Sequence, residues 1–160
     1  MAVKRRQNDA NADGSPLDAT NRRLLAELQA DARLSLAELG RRVGLSSPAV
    51  AERLQRLEDD DVILGYHARL NPRAVGLALS AVIRIRPAPR ELHEVAALAR
   101  STPEVVECRR ITGDDCYIML AHVRSVEHLE EVIDRFAAYG QTTTSIVQSA
   151  PVPPRGLDLP

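Results

Sequence analysis

Between residues 34 and 48 two helix-start signals flank a single helix-stop, and that spacing constrains the chain more than any other feature. Ser35-Leu36-Ala37-Glu38 is a capping box, in which the Ser hydroxyl and the Glu carboxylate reciprocally satisfy amides that a helix start leaves exposed. Leu34 and Leu39 are spaced around it as a hydrophobic staple. Gly44 supplies the left-handed residue that ends a helix and lets the chain turn sharply. Ser46 or Ser47 starts the next helix, with Pro48 tolerated in its first turn. A preceding helix runs from the N-cap Asp18 to about Ala32, with Leu24, Leu25 and Leu28 on one stripe. Leu36, Leu39 and Val43 give the buried side of the second helix, and Val50, Leu54 and Leu57 that of the third. The pattern predicts a helix-turn-helix.

Such a unit lays its last helix in a major groove about 12 Å wide, where side chains reach base edges. With Val50, Leu54 and Leu57 inward, Ser47, Ala51, Glu52 and Gln55 turn outward; Gln55 suits adenine, and Ala51 a thymine methyl. Arg41, Arg42, Arg53 and Arg56 are candidates for phosphate or structural roles. With the cap Ser46, these residues form the candidate DNA-contacting set. Charge gives it no general help. The chain has 21 basic and 22 acidic residues, and residues 1–70 carry 11 of each, which excludes a polycationic nucleic-acid coat. Placed charges and dimer valency must supply the attraction. The plainer reading is a three-helix module for protein contacts.

The pattern changes at Gly65. Tyr66–Leu70 reads as a short strand leading to Asn71-Pro72, so residues 65–77 are expected to be a strand linker after a helical domain at 17–64. Beyond it lie a strand at Ser80–Arg86, a helix at Glu91–Arg100, strands at Val105–Thr112 and Tyr117–Val123 around Gly113-Asp114-Asp115, a helix capped by Ser125 and stopped by Gly140, and a strand at Thr142–Gln148. This βαββαβ order is the ferredoxin-like unit, expected over residues 78–150, with both helices on one face of an antiparallel sheet. The fold class is therefore α+β. Aromatics are only 2% of the chain, so aliphatic packing must carry the core. A sheet covered on one side should alternate, yet Tyr117–Val123 is almost wholly apolar and Ala81, Val82 and Ile83 are apolar in succession. A second copy of the chain is the economical cover, which predicts a homodimer built by this domain.

The remaining features are bland. Residues 1–16 are polar and expected to be disordered, with Lys4, Arg5 and Arg6 as a short basic arm; residues 151–160 are expected to be a C-terminal tail. His67, His93, His122 and His128 have neither metal-ligand spacing nor a local carboxylate partner. Cys108 should lie opposite Ile118 or Met119, a register that separates it from Cys116 and disfavours a disulfide. No catalytic constellation, phosphate loop or zinc pattern appears, so neither an enzyme nor a cofactor is expected. No apolar run approaches the roughly 20 residues of a membrane span, and a cytoplasmic, nucleoid-associated protein is expected.

Leu17-Asp18, Leu28-Gln29, Arg33-Leu34-Ser35, Glu38-Leu39, Val43-Gly44-Leu45-Ser46, Val50 to Glu58 and Val62-Ile63, followed by Asn71-Pro72, Pro103-Glu104-Val105, Thr112-Gly113 and Thr142-Thr143-Thr144, resemble the Lrp/AsnC (feast/famine) family of transcription regulators. The resemblance covers Leu17 to about Pro154. It implies a winged-type helix-turn-helix joined by a strand linker to a ferredoxin-like domain that dimerises, and dimers that often stack into octamers. It also implies a small effector, usually an amino acid, bound in clefts between dimers. The implied effector positions are Thr112, Gly113, Asp114, Asp115 and Cys116 in the hairpin and Thr142, Thr143 and Thr144 on the last strand. Asp114 and Asp115 suit an ammonium, and the Gly113 amide can be approached closely. An ordinary polar turn is the competing reading of the same residues. The chain departs from the family pattern at Asp61, where many members have Gly, and at Cys116, where the family's acid is expected. Two further readings share the architecture: an enzyme resembling the sirohaem decarboxylases, which act on tetrapyrroles, and an effector-free protein that bends or wraps DNA.

Overall fold

A computed structural model describes residues 17–159, so the segment 1–16 lies outside the described residues. The chain forms two compact units, one running to Ala68 and resuming at Val152, the other spanning Arg69–Pro151.

The first unit is built from local signals. Helix α1 (Ala19–Ala30) is capped by Asp18, whose carboxylate accepts the Asn21 amide at 2.6 Å, and it stops short of Ala32 because Asp31 is already extended. Helix α2 (Leu36–Val43) begins at Ser35, whose hydroxyl accepts the Glu38 amide at 3.2 Å, and ends on Gly44 at φ 79°. The capping box is half made. Glu38 turns its carboxylate to Arg41 and Arg42 instead, since a charge-assisted pair outcompetes a bond to a neutral amide. Helix α3 (Ser47–Asp59) starts at the cap Ser46 with Pro48 in its first turn. Leu24, Leu25, Leu39, Val43, Val50, Leu54 and Leu57 are buried together, with Leu34 packed against them as the staple requires. Gly40 is needed for packing: a Cβ there would lie 2.4 Å from the Leu45 carbonyl oxygen. Asp61 takes the left-handed position at φ 56°, which Asp tolerates better than most residues.

Two linker expectations are corrected. Tyr66–Leu70 forms no strand, because no strand among the described residues pairs with it; the segment is irregular before a 3-10 turn at Pro72–Val75. For the same reason the described residues of the helical unit carry no β-wing.

The second unit is the expected βαββαβ arrangement: β1 (Leu79–Pro87), α4 (Leu92–Ser101), β2 (Val105–Arg110), β3 (Tyr117–Val123), α5 (Val126–Ala137) and β4 (Gly140–Ile146). All pairs are antiparallel and the strand order is β2-β3-β1-β4. Val95 and Ala99 of α4 and Leu129, Val132 and Phe136 of α5 pack with Ala81, Ile83, Ile85, Tyr117, Met119, Ala121 and Val123 of the sheet. Strand β2 ends at Arg110, short of Thr112. Cys108 pairs with Met119 and both cysteines are free. Gly140 does not stop α5 in a left-handed turn. Ala138 caps that helix in a right-handed conformation, and Gly140 opens β4, where a Cβ would lie 2.2 Å from the Arg86 carbonyl oxygen. Strand β3 alternates between buried and half-buried residues along its whole length. The apolar run seen in sequence therefore divides between two faces. Ile118 and Leu120, with Val82 of β1 beside them in register, form an apolar patch on the face away from the helices.

Candidate functional site

On the helical unit, Ala51, Glu52, Gln55 and Arg56 lie off the buried Val50, Leu54 and Leu57 row of α3, and Ser46 and Ser47 sit at its start. Arg41 and Arg42 end α2. Every charged member of the set already holds a partner. Arg41 pairs with Glu38, Arg42 bridges Glu27 and Glu38 at 2.7 Å each, and Arg56 pairs with Glu52 one turn earlier. The Gln55 amide donates to Asp59 at 3.0 Å. Exposed pairs of this kind are weak, so a phosphate can displace the carboxylate at little cost. Glu38, between two guanidiniums, is held below the ordinary carboxylate range by its hydrogen bonds to Arg42 and Arg41.

Arg53 stands apart. Its guanidinium donates to Asp18 at 2.6 Å and Asn21 at 2.9 Å, tying α3 to the first turn of α1. Of the two roles offered by the sequence, these bonds serve the structural one. Sequence pattern missed Asn21 in this tie, and Arg23, whose guanidinium donates to the Arg42 carbonyl at the end of α2. Arg23 lies off the Leu24 and Leu25 stripe on α1, but nothing local marks its partner, 19 residues away.

On the second unit the hairpin and the last strand flank β1 at one end of the sheet. Thr112 and Gly113 are exposed in the turn, with Gly113 at φ 104°. Cys116 is held by the backbone: its amide donates to the Ile85 carbonyl at 3.0 Å and its carbonyl accepts from Ile111 at 2.9 Å. The two aspartates are not free acceptors. Arg86 pairs with the Asp114 carboxylate at 3.1 Å and also donates to its carbonyl at 3.0 Å, while Arg84 lies 3.7 Å from Asp115. These arginines were not foreseen as site residues, although their i, i+2 spacing on β1 puts them on one face. Thr143 stands opposite Arg84 and Gln141 opposite Arg86, so they share that face. Thr142 and Thr144 oppose Ile85 and Ile83 and point to the helix-covered side instead. The Thr144 hydroxyl is buried with no hydrogen-bond partner among the described residues. The threonine triplet is therefore split by the pleat, and only Thr143 joins Arg84, Arg86, Asp114 and Asp115.

The sequence offers the histidines no local carboxylate, and one of them finds a distant one. His128 has a carboxylate partner that sequence distance hides: its Nε2 lies 2.9 Å from Glu104, which also lies 3.3 Å from Arg135. Burial would raise the Glu104 carboxyl, but its own backbone amide, His128 and Arg135 hold it below the ordinary range. Among the described residues no cluster of His, Cys, Asp or Glu could hold a metal ion, and no helix is long and apolar enough to cross a membrane.

Residues 17–58 match the AsnC-type helix-turn-helix domain, and residues 80–157 match the Lrp/AsnC ligand binding domain. The chain is 40% identical to the HTH-type transcriptional regulator LrpA of Mycobacterium tuberculosis over 129 residues, 80% of this chain and 86% of that one. It is 34% identical over 141 residues to the leucine-responsive regulatory protein of Escherichia coli strain K12, 84% of this chain and 86% of that one. It superposes with a TM-score of 0.83 and 37% identity on the feast or famine regulatory protein from M. tuberculosis complexed with L-methionine, covering 88% of this chain and 98% of that one.

Proposed function

The chain belongs to the Lrp/AsnC family of DNA-binding transcriptional regulators, and from that premise we propose how its two units divide the work. The exposed row of α3 reads bases: Gln55 and Ala51 lie against base edges, while Arg41, Arg42 and Arg56 exchange their carboxylates for phosphates, with Ser46 and Ser47 at the helix start. Two copies place two such helices, so the operator is pseudo-palindromic with half-sites about 10–10.5 bp apart or a multiple of that. The apolar patch of Val82, Ile118 and Leu120 supports the dimer, because a sheet face bearing these residues calls for a cover. Stacking of dimers into octamers would build on it.

The single observation that carries the effector reading is the face holding Arg84, Arg86, Asp114, Asp115 and Thr143. Two cations and two anions at the rim of a hairpin suit a zwitterion, whose carboxylate takes a guanidinium and whose ammonium takes an aspartate. We infer a free amino acid as effector, in keeping with the L-methionine bound by one relative and the leucine response in the name of another. Such a regulator works in the cytoplasm, on the nucleoid, and needs neither catalysis nor a cofactor.

Footprinting on the DNA upstream of the gene tests the reading: a protected region that survives physiological salt is expected, and its absence overturns DNA reading by α3. Thermal-shift screening of the twenty amino acids tests the second unit. A ligand at about 100 times its Kd adds about 2.7 kcal/mol to stability, and a flat panel removes the effector assignment. Leu120→Asp should convert the dimer to monomer in sedimentation.

A further inference from the structure

The chain passes between its two units twice, at residues 68–69 and again at 151–152. The second passage brings the segment from Val152 onward back onto the helical unit. The Gln29 side-chain amide donates to the Leu157 carbonyl at 3.1 Å, and its oxygen accepts the Leu157 amide at 2.6 Å. One side chain thus engages both backbone groups of one residue, as a neighbouring strand would. Gly156 permits the approach: a Cβ there would lie 2.6 Å from the Gln29 oxygen. Leu159 packs against the core of the helical unit, and Leu157 and Leu159 line an apolar groove of about 510 Å³ with Leu17, Leu25, Leu28 and Val62.

We propose that Val152–Leu159 is a releasable strap whose receptor is Gln29 of α1 and the adjoining core of the helical unit. The sequence fits that role. Pro153 and Pro154 pre-extend the segment and lower the entropy lost on docking. Leu157 remains 77% exposed, so one leucine anchors the strap while the other rides on the surface. Two backbone bonds to one exposed side chain make an attachment that opens readily.

Amide hydrogen exchange on the full chain tests this without relying on DNA or effector binding. Removing residues 152–160, or Gln29→Ala with the strap retained, should speed exchange of α1 amides about tenfold. Gly156→Val should do the same, since the added side chain meets Gln29. Helical content by circular dichroism stays unchanged in all three. A synthetic peptide of residues 150–160 added to the truncated protein should restore protection. Equal exchange in the full and truncated chains, or no response to the peptide, overturns the strap. Protection that is lost on dilution of the full chain marks a strap supplied by a second copy and overturns the assignment to the chain's own segment.

Discussion

The helical unit and the αβ unit are built by opposite routes. In the helical unit each element announces itself: Asp18, Ser35 and Ser46 cap their helices within three residues, and Gly44 ends α2 where it stands. Among the described residues, its buried core is formed by Leu and Val alone. In the αβ unit the defining bonds join distant segments, as when β1 pairs with β4 from the far end of the chain, and its core contains the single Phe. Local signals nucleate quickly, whereas long-range pairing must first overcome loop-closure entropy. The first unit is therefore sensitive to changes at turns and caps, and the second to changes at buried contacts.

The sharpest test of that contrast is Phe136→Ala. Phe136 is fully buried between α5 and the sheet, and its removal should cost about 3–5 kcal/mol. The αβ unit should melt early while α1 to α3 keep their transition, followed by calorimetry of the two units. A single shared loss of both would break the separation of the units.

Glycine substitutions probe the two routes with one kind of change. Gly140→Ala drives a Cβ into the backbone at Arg86, with Pro87 Cα only 2.7 Å away, so β4 must shift from β1. The expected cost exceeds the about 1–2 kcal/mol of Gly44→Ala, where φ is +79° but space is open. Chemical denaturation of each variant gives the order, and a larger loss at Gly44 reverses it. Smaller still is Arg53→Ala, which leaves the Asp18 cap but removes the tie between α3 and α1. About 1 kcal/mol is expected from the helical unit alone, because the pair is partly exposed. If Arg53 instead served DNA, its loss would weaken DNA affinity more than stability.

What could be read in advance follows the same division. Caps, the Gly44 stop and the inward row of α3 are set by neighbours in sequence, so they were legible, as was the order of strands and helices in the second unit. The strand at Tyr66–Leu70 was not, because alternation supplies a strand's side chains but not its partner. The threonine triplet divides for a related reason: consecutive residues on β4 alternate faces, and the residues that join Thr143 come from β1 and the hairpin. Arg84 and Arg86 were hidden because their partners, Asp115 and Asp114, lie about 30 residues away. Gly40 and Gly140 were hidden as well, since close backbone approach leaves no mark in the local pattern.

Acid separates the units by the smallest effect. Burial would raise the Asp18 carboxyl, but Arg53 and the Asn21 amide hold it below its ordinary value; Glu104 is lowered in the same way by its own amide, His128 and Arg135. A carboxylate lowered in the folded state contributes stability that is full above its unfolded pKa, about 3.9 for Asp and 4.3 for Glu, and fades as pH falls toward the lower folded value. Both units should therefore soften below about pH 4, each by under about 1 kcal/mol for these groups. Glu104 is the more enclosed, its side chain 18% exposed against 39% for Asp18, so solvent screens it less and the αβ unit should show the steeper dependence. Asp18→Asn should flatten the acid limb of the helical transition only, and Glu104→Gln that of the αβ transition only. If either substitution flattens both limbs, the two units share their stability and the contrast drawn from their sequences fails.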